Sequence, residues 1–402
     1  MNKPLAGVRI LDLTHMLSGP YAGMILGDMG AEMIKVEPAT GEMTRGLLAS
    51  DPVHSIDGMG AYFITLNRNK KSVCIDLKSP AGLEVFYDLV RKSDAVIYNF
   101  GADVPKRLGI DFDSLKVVNP AIVTCLISGF GSEGPNYRRP AFDQVAQAIG
   151  GGMSITGADG EHPMRAGIPI GDLGGGMFAV MGILAALREA GVTGQGQHVD
   201  ISMLDCQISM LNYMATMYFM SGEDPEPIGN DHFVHVPYNS FKTADGHMVV
   251  ACVSDKFWHS MKELVQCPDL DKPEYDFQPG RHAAKTEINS RLQEIFLTQP
   301  TKHWLAGMTE KRIPCAPVNR FSEALADDQV LHRNMVVELQ HANGKSTKGP
   351  GTPIKFSRTN EESFAAAPLL GEHTDEVLAH LLAYSADQID ALKTGGAVTS
   401  HE

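Results

Sequence analysis

The chain contains 402 residues, of which 43% are hydrophobic and 20% are charged. This balance is typical of globular proteins and excludes a disordered or fibrous chain, and the length suggests about two or three domains. The net charge of −14 at pH 7 argues against a protein that coats nucleic acid or an anionic membrane.

Short apolar runs alternate with helical patterns in the first third of the chain. Pro20 suits a first helical turn, and Ser79 followed by Pro80 predicts an N-cap and the first residue of another helix. This β-α-β rhythm predicts an α/β fold, with a Rossmann-like large domain whose parallel sheet carries helices on both faces. The predicted strands are 8–13, 32–37, 72–77, 95–99 and 121–128.

The glycine string at 129–134 matches G-x-G-x-x-G, but Pro135 and Pro140 follow it, so no helix is expected to begin there. A dinucleotide site needs that helix, and we therefore do not assign one. His232 and His235 have a spacing that metal ligands use, but we expect no metal at a lone pair beside a loop.

A candidate site lies in MRAGIPIGDLGGGMF, where a strand-like run ends at Asp172 and Gly174, Gly175 and Gly176 lead into a helix to about Glu189. The helix dipole and free N–H groups are expected to keep this carboxylate ionised. Glycines allow close approach of another backbone or a ligand. The residues alone leave two interpretations open: a helix cap with packing glycines, or an exposed nucleophile.

The strand pattern at 198–203 leads into a Met-rich helix ending near Gly222, and the Pro-, Gly- and acid-rich stretch 223–235 resembles a linker. Two strand-like runs joined by a turn at 244–246 follow, then helical patterns at 255–266 and 281–310. We predict a large domain of residues 1–222 and 326–402 and a smaller α+β domain of 223–325. In the tail, MVVELQ and PGTPIKFS are typical of strands, and a helix is predicted near 373–383.

The six cysteines form no C-x-x-C pair, and Cys125 lies in an apolar run, which is typical of reduced core residues. The start of the chain lacks the pattern of a signal peptide, and the most apolar stretch, 177–187, is about half the length that spans a bilayer. We therefore expect a cytoplasmic protein that does not bind membranes.

Three long blocks resemble family III CoA-transferases, the CaiB/BaiF family that includes formyl-CoA and carnitine CoA-transferases. They are PLAGVRILDLTHMLSGPYAGMILGDMGAEMIKVEP, the segment from LNRNKKSVCIDLKSPAG to ISGFGSEGP, and RAGIPIGDLGGG with GQGQHVDISMLD. Weaker likeness continues through VPYNSFKTADGHMVV to PLLGEHT, so the resemblance covers nearly the whole chain.

The resemblance implies that Asp172 is a nucleophile that forms a mixed anhydride with an acyl group and then a thioester with CoA. It implies acyl-CoA and carboxylic acid substrates, no permanently bound cofactor and no metal, and an interlocked homodimer. Asp143 matches an acidic residue beside the active site. The implied CoA contacts are His15, Met16, Leu17, Ser18, Ile75, Lys78, Asn99, Phe100 and Arg107.

The chain departs from the family pattern at three places. Pro38 replaces an arginine of some relatives, for which Arg45 is a possible substitute, and Pro140 replaces a basic residue that Arg138 or Arg139 can supply. We include Arg139 in the CoA-binding set. The segment 251–257, ACVSDKF, lacks the glycines of oxalate-type relatives, which weakens a formyl-CoA:oxalate assignment.

Two other functions remain as alternatives. An α-methylacyl-CoA racemase on the same fold needs a histidine where this chain has Phe142, which cannot move a proton. A non-catalytic CoA-binding protein would not need the carboxylate of Asp172. We favour transfer of CoA to a short organic acid, such as a dicarboxylate with succinyl-CoA as donor, because Arg165 and other basic residues lie near the site in sequence.

Overall fold

The computed structural model describes residues 3–158, 160, 162–341, 343–359 and 361–401. The chain divides into two compact units. The first contains Met1–Gly152, Arg165–Met220 and Gln329–Glu402, and the second contains Met153–Met164 and Ser221–Asp328. The sequence prediction assigns 153–164 to the first domain, whereas in the structure these residues belong to the second unit.

The strands of the described chain are short, as is usual in an α/β protein. They are β1 Arg9–Asp12, β2 Glu32–Glu37, β3 Ser55–Ile56, β4 Met59–Gly60, β5 Lys70–Ile75, β6 Ala95–Tyr98, β7 Val123–Ser128, β8 His198–Ser202, β9 Tyr238–Lys242, β10 His247–Ala251, β11 Cys315–Pro317, β12 Val336–Gln340, β13 Ser346–Pro350 and β14 Val398–Thr399.

The helices connect these strands. They are α1 Ser18–Asp28, α2 Ala61–Leu66, α3 Pro80–Val90, α4 Val104–Leu108, α5 Phe112–Val118, α6 Asp143–Ile149, α7 Ile170–Thr193, α8 Met203–Leu211, α9 Tyr213–Ser221, α10 Asp255–Val265, α11 Gln278–Ala283, α12 Lys285–Phe296, α13 Thr301–Glu310, α14 Phe321–Ala324, α15 Asp328–His332, α16 Thr374–Glu376 and α17 Ala386–Thr394. Short 3₁₀ segments occur at Met43–Arg45, Gly152–Ile155, Pro268–Leu270 and Pro273–Asp276, and a π-helical segment at Val377–Leu381.

The first unit is built on a sheet in which seven strands of the described chain lie in the order β14-β5-β2-β1-β6-β7-β8. All neighbouring pairs run parallel except β14 with β5. Side chains alternate between two cores, with Ile10 on one face and Leu11 on the other. Because both faces are covered, the central strands appear in the sequence as continuous apolar runs. The predicted α/β class is confirmed.

The helix α3 begins as its sequence predicts. The Ser79 side chain accepts a hydrogen bond from the Gly82 N–H, and Pro80 occupies the first helical position. The predicted absence of a helix after the glycine string at 129–134 is also confirmed, since the next helix is α6.

Three predicted elements are wrong in detail. The strand-like run before Asp172 is not a strand, because α7 begins at Ile170 and the carboxylate lies in its first turn. The Met-rich helix is two helices, since Asn212 has φ 52° and ψ −126° and interrupts the helical path. The tail strand is Ser346–Pro350 rather than the following PGTPIKFS.

The second unit contains a sheet of β9, β10 and β11, whose pairs are antiparallel. The predicted turn between β9 and β10 is confirmed. Its helices pack around Trp258, Leu292 and Phe296, each with no exposed surface. The helix predicted over 281–310 is divided among α11, α12 and α13.

By length and composition alone, the 24-residue helix α7 is long and apolar enough to cross a membrane. The apolar stretch 177–187 singled out in the sequence covers only part of this helix. In the structure α7 packs on α1 and on β7 and β8 of the same unit. The glycines that allow this packing lie at the end of α7 that carries Asp172.

Candidate active site

The turn after β1 is held by side chains from distant parts of the first unit. The Asn99 carbonyl oxygen accepts a hydrogen bond from the His15 N–H at 2.9 Å, and the Asn99 amide donates to the His15 carbonyl at 2.7 Å. The Glu42 carboxylate accepts from the Met16 N–H at 3.0 Å. Met16 has φ 62°, a strained conformation for a residue with a side chain. The two partners fix that conformation and therefore the direction of the turn.

A second set of hydrogen bonds fixes the start of α7. Asp143 Oδ1 accepts from the Gly171 N–H at 2.8 Å and from the Asp172 N–H at 3.3 Å. The Gln147 amide donates to Asp143 Oδ2 at 2.7 Å, and its oxygen accepts from the Ala166 N–H at 2.9 Å. Asp143 thus caps α7 from a different helix and orients the turn that carries Asp172.

The Asp172 carboxyl group is partly buried beside Asp143. Burial, and then the negative charge of Asp143, raise its pKa to about 7. The helix N-terminus therefore does not stabilise the Asp172 carboxylate as expected, and only a fraction of the group is ionised at pH 7. The physical reason is that the first N–H groups of α7 donate to Asp143, and Asp143 repels a second negative charge.

The glycine run of α7 lets α1 approach closely. A Cβ atom at Gly176 would lie 2.6 Å from the Ser18 carbonyl oxygen, and one at Gly175 would lie 3.8 Å from Ser18 Cβ. A Cβ atom at Gly174 would lie 2.8 Å from Met210 Cε. The glycines therefore serve helix packing, and that packing sets the N-terminal turn of α1 beside the face of α7 that carries Asp172.

Most of the predicted site residues line two cavities of the first unit. The cavity that contains Asp172 has a volume of about 280 Å³ and is called the Asp172 cavity here. A second cavity of about 400 Å³ has mostly apolar walls and is called the apolar cavity. Both are lined by His15 and Phe100, so the two adjoin. The Asp172 cavity is also lined by Met16, Ser18, Asn99 and Arg139, and the apolar cavity by Ile75 and Lys78.

Three predicted residues are not among the described residues that line either cavity. Leu17 is the N-cap residue of α1, Arg107 lies in α4, and Asp143 acts through its bonds to α7. Arg165 does not line them either, and its guanidinium donates to the carbonyls of Ala166 and Gly167. A larger cavity of about 630 Å³ lies in the second unit and contains none of the predicted site residues.

The suggestion that Arg45 replaces a phosphate-binding arginine at position 38 is wrong. Its guanidinium pairs with both oxygens of Glu37 at 2.7 Å and lies 3.9 Å from the centre of the Phe63 ring. It also donates to the Pro368 carbonyl and is buried. Because the Arg45 guanidinium is paired with Glu37 inside the protein, it is not available to bind a phosphate group.

The two arginines before Pro140 differ in how they are engaged. Arg138 forms an ion pair with Asp103 at 2.7 Å. The Arg139 guanidinium lies 5.3 Å from the centre of the Phe130 ring, and it has no carboxylate partner in the described part of the chain. Arg139 is therefore the cation of the Asp172 cavity that remains available to an anion.

Glu42, Tyr62 and Gln147 are not among the residues that the sequence predicts for the site. The Glu42 carboxylate accepts a hydrogen bond from the Met16 N–H, and Glu42 lines the apolar cavity. The one local feature that marks it is its place two residues before Thr44, because its carboxylate also accepts from the Thr44 N–H. Burial, and then the nearby charge of Asp172, raise the pKa of Tyr62 to about 12. No local pattern marks Tyr62 or Gln147, because tertiary packing brings them to the site.

The arrangement can support attack by a carboxylate on an acyl compound. Phe142 lines the Asp172 cavity and carries no proton that a racemase could transfer. Burial lowers the pKa of His15, which favours its neutral form at pH 7. Among the described residues no group of three or more His, Cys, Asp or Glu side chains is arranged to hold a metal ion.

Comparison with known proteins agrees with the family resemblance. The family model described as CoA-transferase family III matches residues 5–374. The chain is 33% identical over 402 residues to the human succinyl-CoA:glutarate CoA-transferase, covering 100% of this chain and 91% of that protein. It is 37% identical over 385 residues to succinate–glutarate CoA-transferase of Agrobacterium fabrum, covering 94% of this chain and 96% of that protein. The crystal structure of a CAIB/BAIF family protein from Brucella suis matches with a TM-score of 0.86 and 31% identity, covering 95% of this chain and 100% of that chain.

Proposed function

The chain belongs to CoA-transferase family III and is a CoA-transferase, and from this premise we propose that Asp172 is its nucleophile. The observation that carries the proposal is the position of the Asp172 carboxyl group. It lines a cavity, it is oriented by Asp143 from outside its own helix, and its pKa of about 7 leaves a substantial ionised fraction at neutral pH.

The proposed reaction needs no external oxidant or base. A carboxylate oxygen of Asp172 attacks the thioester carbonyl of the donor, and the carbon–sulfur bond breaks to give an acyl-aspartyl anhydride and CoA thiolate. The thiolate then attacks the aspartyl carbonyl, which releases the donor acid as its carboxylate and leaves an aspartyl-CoA thioester. The acceptor carboxylate runs the same two steps in reverse and restores Asp172.

We propose that the apolar cavity takes the pantetheine and adenine parts of CoA. Ile75 and Phe100 offer apolar walls, and Lys78 offers a positive charge for phosphate. Since Phe100 and His15 line both cavities, a CoA molecule in the apolar cavity would direct its thiol towards the Asp172 cavity. Filling both cavities would also exclude water, which would otherwise hydrolyse the anhydride or the thioester.

We propose a dicarboxylic acid as acceptor and succinyl-CoA as donor. The relatives are named for succinyl-CoA with glutarate, mesaconate or malate, and for formyl-CoA with oxalate. Arg139 supports this choice, because its guanidinium lines the Asp172 cavity without a carboxylate partner among the described residues and can bind the carboxylate that does not react. This assigns to Arg139 the role that sequence proximity suggested for Arg165, in place of CoA binding.

The test compares wild type with Asp172→Ala, using succinyl-CoA and a panel of short mono- and dicarboxylic acids. We expect Asp172→Ala to lose at least about 10⁴-fold in turnover. Its affinity for CoA in calorimetry should stay within about threefold, because Asp172 does not line the apolar cavity in which we place CoA. The matched control Asp113→Ala, an exposed carboxyl group in the first turn of α5, should keep full turnover.

The covalent intermediate provides the second readout. Wild type incubated with acyl-CoA and then hydroxylamine should carry a hydroxamate on the peptide that contains residue 172, and Asp172→Ala should carry none. Undiminished turnover of Asp172→Ala, or a label on another residue, would refute the assigned role. A protein that only binds CoA would show affinity with no label.

A further inference from the structure

The first turn of α1 presents hydrogen-bond donors that nothing in the described chain uses. An α-helix leaves its first N–H groups without partners inside the helix. In α1 the N-cap residue is Leu17, whose side chain makes no capping bond, and the first turn contains no acidic residue. Within the described ranges, the N–H groups of Ser18 and Gly19 have no acceptor.

The Ser18 side chain is an independent sign of a ligand at this turn. Ser18 is only 4% exposed, and its hydroxyl group has no hydrogen-bond partner among the residues that the structure describes. The hydroxyl oxygen itself is not fully enclosed, so a ligand or water can reach it and supply the hydrogen bond that the described chain does not. Ser18 lines the Asp172 cavity, so a ligand held there is in position to meet its hydroxyl.

The packing of α1 on α7 places these donors beside Asp172. Gly176 faces the Ser18 carbonyl and Gly175 faces Ser18 Cβ. Asp172 precedes these glycines by three and four residues, and residues at that spacing share one face of a helix. Asp172 therefore lies one helical turn before the contact of α7 with Ser18, and both residues line the Asp172 cavity.

We propose that the Ser18 hydroxyl and the N–H groups of Ser18 and Gly19 form the oxyanion hole of the reaction. The proposal rests on Asp172 being the nucleophile. When Asp172 attacks the thioester, the carbonyl π electrons move to the oxygen and form an oxyanion. Its collapse restores the carbonyl and expels CoA thiolate. The three donors bind the oxygen while it carries that charge and release it when the carbonyl re-forms.

The charge balance of the site explains why such donors are needed. Asp172 and Asp143 already lie close together, and the oxyanion forms beside Asp143. The positive end of the α1 dipole and a buried hydroxyl donor offset this repulsion without adding a titratable group. Because the donors are held by the fold before substrate arrives, they need no rearrangement during the reaction.

The experiment compares Ser18→Ala with Ser93→Ala. Ser93 is a matched control, since it is also 4% exposed, but its hydroxyl donates to the Leu89 carbonyl at 2.8 Å, away from both cavities. We expect Ser18→Ala to lower kcat about 10- to 100-fold, as one of three donors is lost, with KM for both substrates within about threefold. Ser93→Ala should keep kcat within about twofold. Thermal denaturation of both variants reports any loss of stability.

A second variant separates hydrogen bonding from packing. Ser18→Cys fills nearly the same space with a weaker donor, so its kcat should lie between those of wild type and Ser18→Ala. Values of kcat within twofold of wild type for both Ser18 variants would overturn the oxyanion hole. That result leaves the nucleophile intact, because hydroxylamine labelling of Asp172 reports it separately. A loss confined to KM would make Ser18 a binding residue and would also overturn the proposal.

Discussion

Asp172 and Asp143 place two carboxyl groups at the start of one helix, and each affects how the other can act. Asp143 takes the N–H groups of Gly171 and Asp172, so the usual stabilisation of a carboxylate at a helix N-terminus goes to Asp143. Burial and the charge of Asp143 then raise the pKa of Asp172 to about 7. A carboxylate of higher pKa is a stronger nucleophile once it is ionised.

This pair predicts the pH dependence of the enzyme. The nucleophile must be deprotonated, so kcat/KM should rise with pH through a midpoint near 7 and level off above it. Asp143→Asn removes the like charge but keeps a side-chain oxygen for the Gly171 N–H. We expect its midpoint to move to lower pH by about one pH unit, because burial still raises the pKa. The measurement is kcat/KM from pH 5 to 9.

The other titratable groups near Asp172 do not account for such a shift. Tyr62 has a pKa raised to about 12, and the pKa of His15 is lowered, so both favour neutral forms above pH 7. The control variant Asp113→Asn, on an exposed helix turn, should keep the wild-type profile. An unchanged midpoint in Asp143→Asn would show that Asp143 does not set the ionisation of Asp172.

At the level of elements, the contact between α1 and α7 determines where the nucleophile lies. Gly176→Ala would place a methyl group 2.6 Å from the Ser18 carbonyl and 3.0 Å from the Tyr21 ring, and the backbone contact cannot be relieved by a rotamer change. We expect a loss of about 1–3 kcal/mol in the free energy of unfolding. Because the helices must separate, kcat should also fall by at least about tenfold.

Gly191→Ala is the matched control for that variant. It lies in the same helix, and a Cβ atom there would have nothing within 4 Å. We expect it to stabilise the protein by about 0.5–1 kcal/mol in chemical denaturation, since alanine favours helix more than glycine does, and to keep turnover unchanged. If both variants unfold at the same denaturant concentration, close packing at Gly176 is not important.

The same helix shows what local sequence can and cannot predict. The central strands and the start of α3 were predictable, because buried parallel strands form apolar runs and Ser79 with Pro80 is a local start signal. The start of α7 was not, because Pro169 and the glycines resemble an extended segment, and Asp143 caps the helix from 28 residues away. Tertiary contacts decide such boundaries.

At the level of the whole first unit, the sequence predicts most of the residues that line the two cavities, but not which charged side chains pair with each other. The family blocks point to Asp172 and to the turn after β1. Burial of Arg45 against Glu37, and of Glu42 beneath Met16, depends on pairs that no short motif reveals. Arg45 is therefore paired with a carboxylate in the structure, although nothing in the sequence shows this pair. Arg139 has no carboxylate partner among the described residues and remains available to bind an anion.

Helix α9 exposes large apolar side chains to solvent. None of the nine residues of α9 is buried, and Phe219 and Met220 are 80% and 84% exposed. Met181, on α7, is 54% exposed. Exposed apolar patches of this kind mark interfaces with other proteins. The family resemblance implies an interlocked homodimer, and we expect a second copy of the chain to cover this surface.

We therefore expect the chain to form a homodimer in solution, with twice the mass of one chain by light scattering at about 10 µM protein. The double variant Phe219→Asp with Met220→Asp should weaken dimerisation at least about tenfold, because charges would have to be buried in an apolar interface. Val117→Asp is the control, since Val117 is 81% exposed on the separate helix α5. A wild-type chain with the mass of a single copy would contradict the homodimer. A double variant that dimerises like Val117→Asp would place the interface elsewhere.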